Sequence, residues 1–159
     1  MYTNRVYTLK KGDHMKTENQ NKKSSVCNCL NLRRASLAIT EIYDHYLAPS
    51  QLSVSQFSIL KHIRAIEPVS VSALAAEIRL DRTTLVRNLK PLEQQGLIHD
   101  IAQPGTRNRQ LCLTAAGKEK IELAHVYWQQ AQERIEEQLG LEDTKILQEL
   151  LLKIEVLEP

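Results

Sequence analysis

Between Asp81 and Lys90 the chain crowds cationic and hydrogen-bonding side chains into one short stretch: Arg82, Thr83, Thr84, Arg87, Asn88 and Lys90, with Val86 among them. Wound as a helix, the stretch turns Leu85, Leu89 and Leu92 to one side and Thr83, Val86, Arg87 and Lys90 to the other. The outward set has the chemistry that base-pair edges ask for. An Arg fork meets guanine or phosphate, a Thr hydroxyl meets phosphate or base, and Val86 suits the methyl of thymine. The helix N-terminus adds a preference for phosphate. Taken alone, such a helix is more often an ordinary amphipathic one with a solvated face.

A second basic element follows at once. Leu97-Ile98 and Leu111-Cys112-Leu113 read as short β segments, and Pro104, Gly105, Arg107, Asn108 and Arg109 lie between them. This is a hairpin with a long basic tip. An Arg there can enter a narrow, electronegative minor groove. A basic helix followed by a basic hairpin is a far more specific signal than either part.

Other reactive groups are sparse. Cys27 and Cys29 stand two apart at the start of an expected helix, where the N-terminus favours thiolate, so either could sense an oxidant or an electrophile. Small buried apolar residues are the plainer reading of free cysteines. Cys112 alternates with its leucine neighbours and is assigned no role. His45, His62, His99 and His125 are scattered, and the Cys27-x-Cys29 pair lacks zinc-ligand spacing, so no metal is expected. No cofactor is expected either. There is no Gly-rich phosphate loop, no fixed pair of carboxylates, and no nucleophile beside an orienting base, which argues against an enzyme.

The elements that must position these residues are mostly helical. Apolar residues recur at helical steps over residues 26–47, with Pro49 as the stop. Ser53 and Gln56 form a capping box for a second helix carrying Phe57, Leu60, Ile63 and Ile66, ended by Pro68. An extended piece over 69–71 leads to Ser72, the expected N-cap of a helix over 73–79 and a member of the groove-facing set. Asp81 caps the helix over 82–95, and Gly96 suits a left-handed C-cap. Thr114 caps a long helix running to Leu139, Gly140 breaks it, and a last helix spans about 142–157. Two short helices closely joined, then a hairpin, describe a winged helix-turn-helix. The expected fold is mostly α with a small β-hairpin wing, a winged head on a helical dimerisation stalk.

Bulk properties agree. The 159 residues suit one ordinary domain, and 42% hydrophobic with 25% charged residues is a globular composition. Only 4% aromatics means a core of Leu, Ile, Val and Ala. No apolar run reaches the roughly 18 residues of a membrane span, and three cysteines fit a reducing cytoplasm. The net charge of +2 says little, but residues 1–40 carry eight Lys or Arg against Asp13 and Glu18, whereas the stretch from Lys118 onward carries ten acids against five bases. Such asymmetry lets one face meet a polyanion. Residues 1–25 lack periodicity and are expected to be disordered, and Gly12-Asp13-His14-Met15 has the look of a vector junction, with Met15 the expected natural start.

Three stretches carry a family resemblance: Ser72-Ala73-Leu74-Ala75 with Asp81 to Leu89, Leu92-Glu93-Gln94-Gln95-Gly96-Leu97-Ile98, and Leu113-Thr114-Ala115-Ala116-Gly117. They resemble the multiple-antibiotic-resistance regulator (MarR) family over roughly residues 27–157. The resemblance implies one domain over 26–159, with dimerisation helices at about 26–47 and 115–159 and a winged head at about 53–114. It implies a homodimeric transcriptional regulator on a pseudo-palindromic site in double-stranded DNA, more readily a repressor than an activator. Major-groove contacts fall on Arg82, Thr83, Thr84, Val86, Arg87 and Asn88, and the minor-groove contact on the wing. The family wing often has an Asp two residues before its Arg. Here Gly105 precedes Arg107, which leaves both Arg107 and Arg109 as candidates. A small aromatic or phenolic effector is implied near Tyr43, Tyr46, His62 and Arg64, as is an oxidant-sensing variant using Cys27 or Cys29. A winged-helix module for protein partners is the competing class, and the basic face of the 82–95 helix argues against it.

Overall fold

The computed structural model describes residues 25–103 and 108–157. The expected disorder of 1–25, apart from Ser25, and the hairpin-tip residues Pro104, Gly105 and Arg107 lie outside these. The chain divides into two units, Met1–Ala35 and Ser36–Pro159.

Among the described residues six helices and three short strands follow in order: α1 (Asn28–Leu47), α2 (Val54–Ile66), β1 (Val69–Ser70), α3 (Val71–Glu77), α4 (Arg82–Gln94), β2 (Ile98–Asp100), β3 (Gln110–Leu113), α5 (Ala115–Leu139) and α6 (Leu141–Glu155). A 3-10 turn, Ala48–Ser50, holds Pro49 and closes α1. In the first unit, the Cys27 carbonyl accepts the Asn31 amide at 3.1 Å, so α1 opens beside both thiols.

The caps form where local sequence predicts them. The Ser53 hydroxyl accepts the Gln56 amide at 3.2 Å, and the Gln56 side chain accepts the Ser53 amide at 3.0 Å. Asp81 receives the Thr84 amide and Thr114 the Gly117 amide. Gly96 is left-handed at φ 66°, as a residue ending α4 must be.

One cap differs. Helix α3 is capped by Ser70, whose hydroxyl accepts the Ala73 amide at 3.1 Å, and Ser72 lies inside its first turn. Val69 and Val71, on either side of Ser70, are both buried in the core. The extended piece ends at Ser70, where β1 pairs with β3 (Val69 opposite Leu111). The hairpin strands pair as expected, with Ile98 opposite Leu113 and Asp100 opposite Leu111. The sheet order is β1-β3-β2, antiparallel throughout.

One core gathers these elements. Phe57, Leu60 and Ile63 of α2, Leu74 of α3, Leu85, Leu89 and Leu92 of α4, Leu111 of β3 and Ile121 and Ala124 of α5 are essentially inaccessible to water. At α5's start the helix lies directly on the chain after α4. A Cβ at Gly117 would sit 2.0 Å from the Leu97 carbonyl oxygen, so only glycine fits.

Candidate nucleic-acid interface

Helix α4 is held from beneath by its leucine ridge and from its start by Asp81. With Leu85, Leu89 and Leu92 wholly buried, the rotation of the helix is set, and Arg82, Thr83, Val86, Arg87 and Lys90 are left exposed. Val86 is an apolar side chain 43% open to water amid cations. Cationic groups and an apolar branched side chain thus share one exposed face.

Two members of the expected reading set are partly engaged within the helix. Thr84 is half-buried, and its hydroxyl donates to the Asp81 carboxylate. The Asn88 side-chain amide donates to the Thr84 carbonyl at 2.9 Å. Ser72 is exposed in the first turn of α3. The Asp81 carboxyl sits below its ordinary range, chiefly because the Thr84 hydroxyl and then the Thr84 amide bond to it.

At the base of the hairpin, Arg109 faces two acids. Its Nε donates to Asp100 Oδ2 at 3.0 Å, and its Nη2 pairs with Glu93 of α4. Asp100 Oδ1 also accepts the amides of Ala102 and Gln110, each at 2.9 Å. Sequence reading missed Glu93 and Asp100. The available signal was an acid ending one strand and an arginine just before the other. Glu67 was missed as well: its carboxylate accepts the Leu113 amide at 2.6 Å and faces Lys118 at 3.6 Å, fastening β3 to the end of α2.

The remaining candidates are dispersed. Cys27 and Cys29 are exposed. Cys112 is half-buried, and burial, then the Glu67 charge, pushes its thiol up. Tyr43 bonds through its hydroxyl to Gln132, and burial followed by the charge of Glu136 raises its phenol. Arg64 pairs with Glu122, and His62 Nδ1 lies 2.7 Å from the Ser58 carbonyl. A cavity of about 240 Å³ lies elsewhere, between α2 and the α3–α4 turn, lined by Val54, Ser55, Ser58, Ile59, Ile78 and Leu80. Among the described residues no His, Cys, Asp or Glu cluster could hold a metal ion, and no helix is long and apolar enough to cross a membrane.

Known proteins share this arrangement. The MarR family model matches residues 52–105, the stretch from α2 into the hairpin. MosR of M. tuberculosis, a transcriptional regulator solved in complex with DNA, is 32% identical with a TM-score of 0.68, the match covering 81% of this chain and 96% of MosR. The transcriptional repressor CouR bound to a 23-mer DNA duplex is 26% identical with a TM-score of 0.74, covering 90% of this chain and 99% of CouR. CouR bound to p-coumaroyl-CoA is 27% identical with a TM-score of 0.75, covering 82% and 92% of the two chains. No curated protein sequence matches the chain.

Proposed function

This chain belongs to the MarR family, and from that premise we propose that it is a cytoplasmic, homodimeric, sequence-specific DNA-binding regulator and not an enzyme. The observation that carries this reading is the exposed Arg82, Thr83, Val86, Arg87 and Lys90 face of α4, set by a wholly buried leucine ridge. A dimer brings two such helices to the two halves of a pseudo-palindromic duplex. Thr84, Asn88 and Ser72 border that face, and the hairpin bearing Arg107 and Arg109 reaches the adjoining minor groove. MosR and CouR, both solved on DNA, support the assignment. Repression is the simplest output, because a dimer seated on a promoter blocks polymerase without an activating surface.

CouR's complex with p-coumaroyl-CoA, which carries a phenolic group, is in keeping with an effector of aromatic or phenolic chemistry, and release from DNA by such a small ligand is the reading proposed here. The exposure of Cys27 and Cys29 favours a second reading, in which oxidation of a thiol weakens DNA binding. Titrating the chain on DNA upstream of its own gene, with and without hydrogen peroxide, separates them. Release by peroxide that persists after Cys27→Ser and Cys29→Ser together rules out Cys27 and Cys29 as the sensing thiols. In the same assay Arg87→Ala should weaken specific binding by about 1–3 kcal/mol. Unchanged affinity and site preference would take Arg87 out of the reading set.

A further inference from the structure

Arg109 lies one residue before β3, beside the end of β2. One side of its guanidinium bonds to Asp100 at the end of β2, and the other pairs with Glu93 in the last turn of α4. Asp100 is itself fixed, since its second oxygen accepts the Ala102 and Gln110 amides. All three charged side chains are about two-thirds covered, at 34%, 33% and 31% exposure. A guanidinium so placed has its planar fork committed in two directions at once, and two carboxylates offset its charge toward a polyanion.

We propose that Arg109 is a positioning residue that clasps the hairpin to the end of α4, and is not itself a DNA contact. The proposal rests on the DNA-binding reading and refines it. Exposed ion pairs add little to fold stability one at a time. What a forked clasp between two elements supplies is direction. It holds β2, β3 and the end of α4 at one mutual angle, so that helix and hairpin can engage adjacent grooves together. Losing it leaves the core intact and lets the hairpin swing.

The two roles predict opposite signs at Glu93. Under the clasp, Glu93→Gln loosens the hairpin and weakens binding. If Arg109 touched DNA directly, the same change would remove a repulsive acid and free a cation, and binding would tighten. The test uses the full chain on duplexes it has enriched from random sequence, titrated over a range of salt. Arg109→Ala and Glu93→Gln should each weaken binding by about tenfold, with the double variant no worse than either. The salt slope and the thermal unfolding midpoint should stay at wild-type values. Tighter binding by Glu93→Gln, or a salt slope smaller by about one in Arg109→Ala, would overturn the clasp and make Arg109 a phosphate contact. Additive losses in the double variant would also overturn it. A wild-type chain that enriches no duplex overturns the DNA-binding reading and the clasp with it.

Discussion

Asp81 uses both carboxylate oxygens on Thr84, one on the amide at 2.8 Å and the other on the hydroxyl. These bonds lower its folded pKa below the ordinary 3.8. A lowered folded value means the stabilisation is complete above 3.8 and is lost as pH falls through the folded value. Because the group is exposed, water screens it and the effect is small. Asp81→Ala should therefore be less stable than wild type in urea at neutral pH, with the gap closing in acid. A gap independent of pH would contradict the cap. Gly117 gives a sharper case. In an open helix Gly→Ala stabilises by up to about 1 kcal/mol, but a Cβ here meets the Leu97 carbonyl at 2.0 Å. Gly117→Ala should cost about 1–3 kcal/mol in thermal unfolding, and a stabilised variant would contradict the close approach. This contact is also the physical content of the Leu113-Thr114-Ala115-Ala116-Gly117 stretch, whose pattern was legible without its reason.

At the scale of the element, α4 has a buried face that holds the fold and an exposed face that, in the proposed function, reads DNA. Leu89 is wholly buried, so Leu89→Ala should cost about 2–5 kcal/mol of stability. Lys90, its exposed neighbour, should change stability by less than about 0.5 kcal/mol when replaced by Ala and yet weaken DNA binding. Equal effects of the two on both readouts would undo the division of faces. What was legible in this region followed from local rules: the leucine period, the Ser53–Gln56 box, the Asp81 and Thr114 caps and the turn at Gly96. What was not legible needed distant chain. β1 is two residues long and exists because Val69 meets Leu111 in β3. Ser70 and Ser72 are equivalent caps to any local rule, and the cap falls on Ser70, where the pairing of β1 with β3 ends. Arg109 meets partners from two other elements, so its basic character was readable and its engagement was not.

Taken whole, the second unit carries more apolar surface than its own core covers. Ile146, Leu150 and Ile154 of α6 are exposed at 45%, 50% and 42%, and Leu123, Val126 and Leu139 of α5 are open as well. Burying such surface is favourable by about 25 cal/mol per Å², and in the proposed function a second copy of the chain covers it. The double change Leu150→Glu with Ile154→Glu should shift the protein from dimer to monomer in sedimentation and reduce DNA binding to its non-specific level. A variant that remains dimeric would place the interface elsewhere. The helical spacing of Ile146, Leu150 and Ile154 is visible in the sequence, whereas Leu123 and Val126 fall off the apolar stripe of α5, whose Ile121, Ala124, Ala131 and Ile135 are buried in this chain's own fold. The central claim, that two copies of α4 read two half-sites, is tested most directly by selecting duplexes from random sequence with the intact chain. An inverted repeat should be enriched, its half-sites about 10–11 base pairs apart, bound by two chains per duplex. An asymmetric sequence bound by one chain, or no enrichment at all, would contradict it.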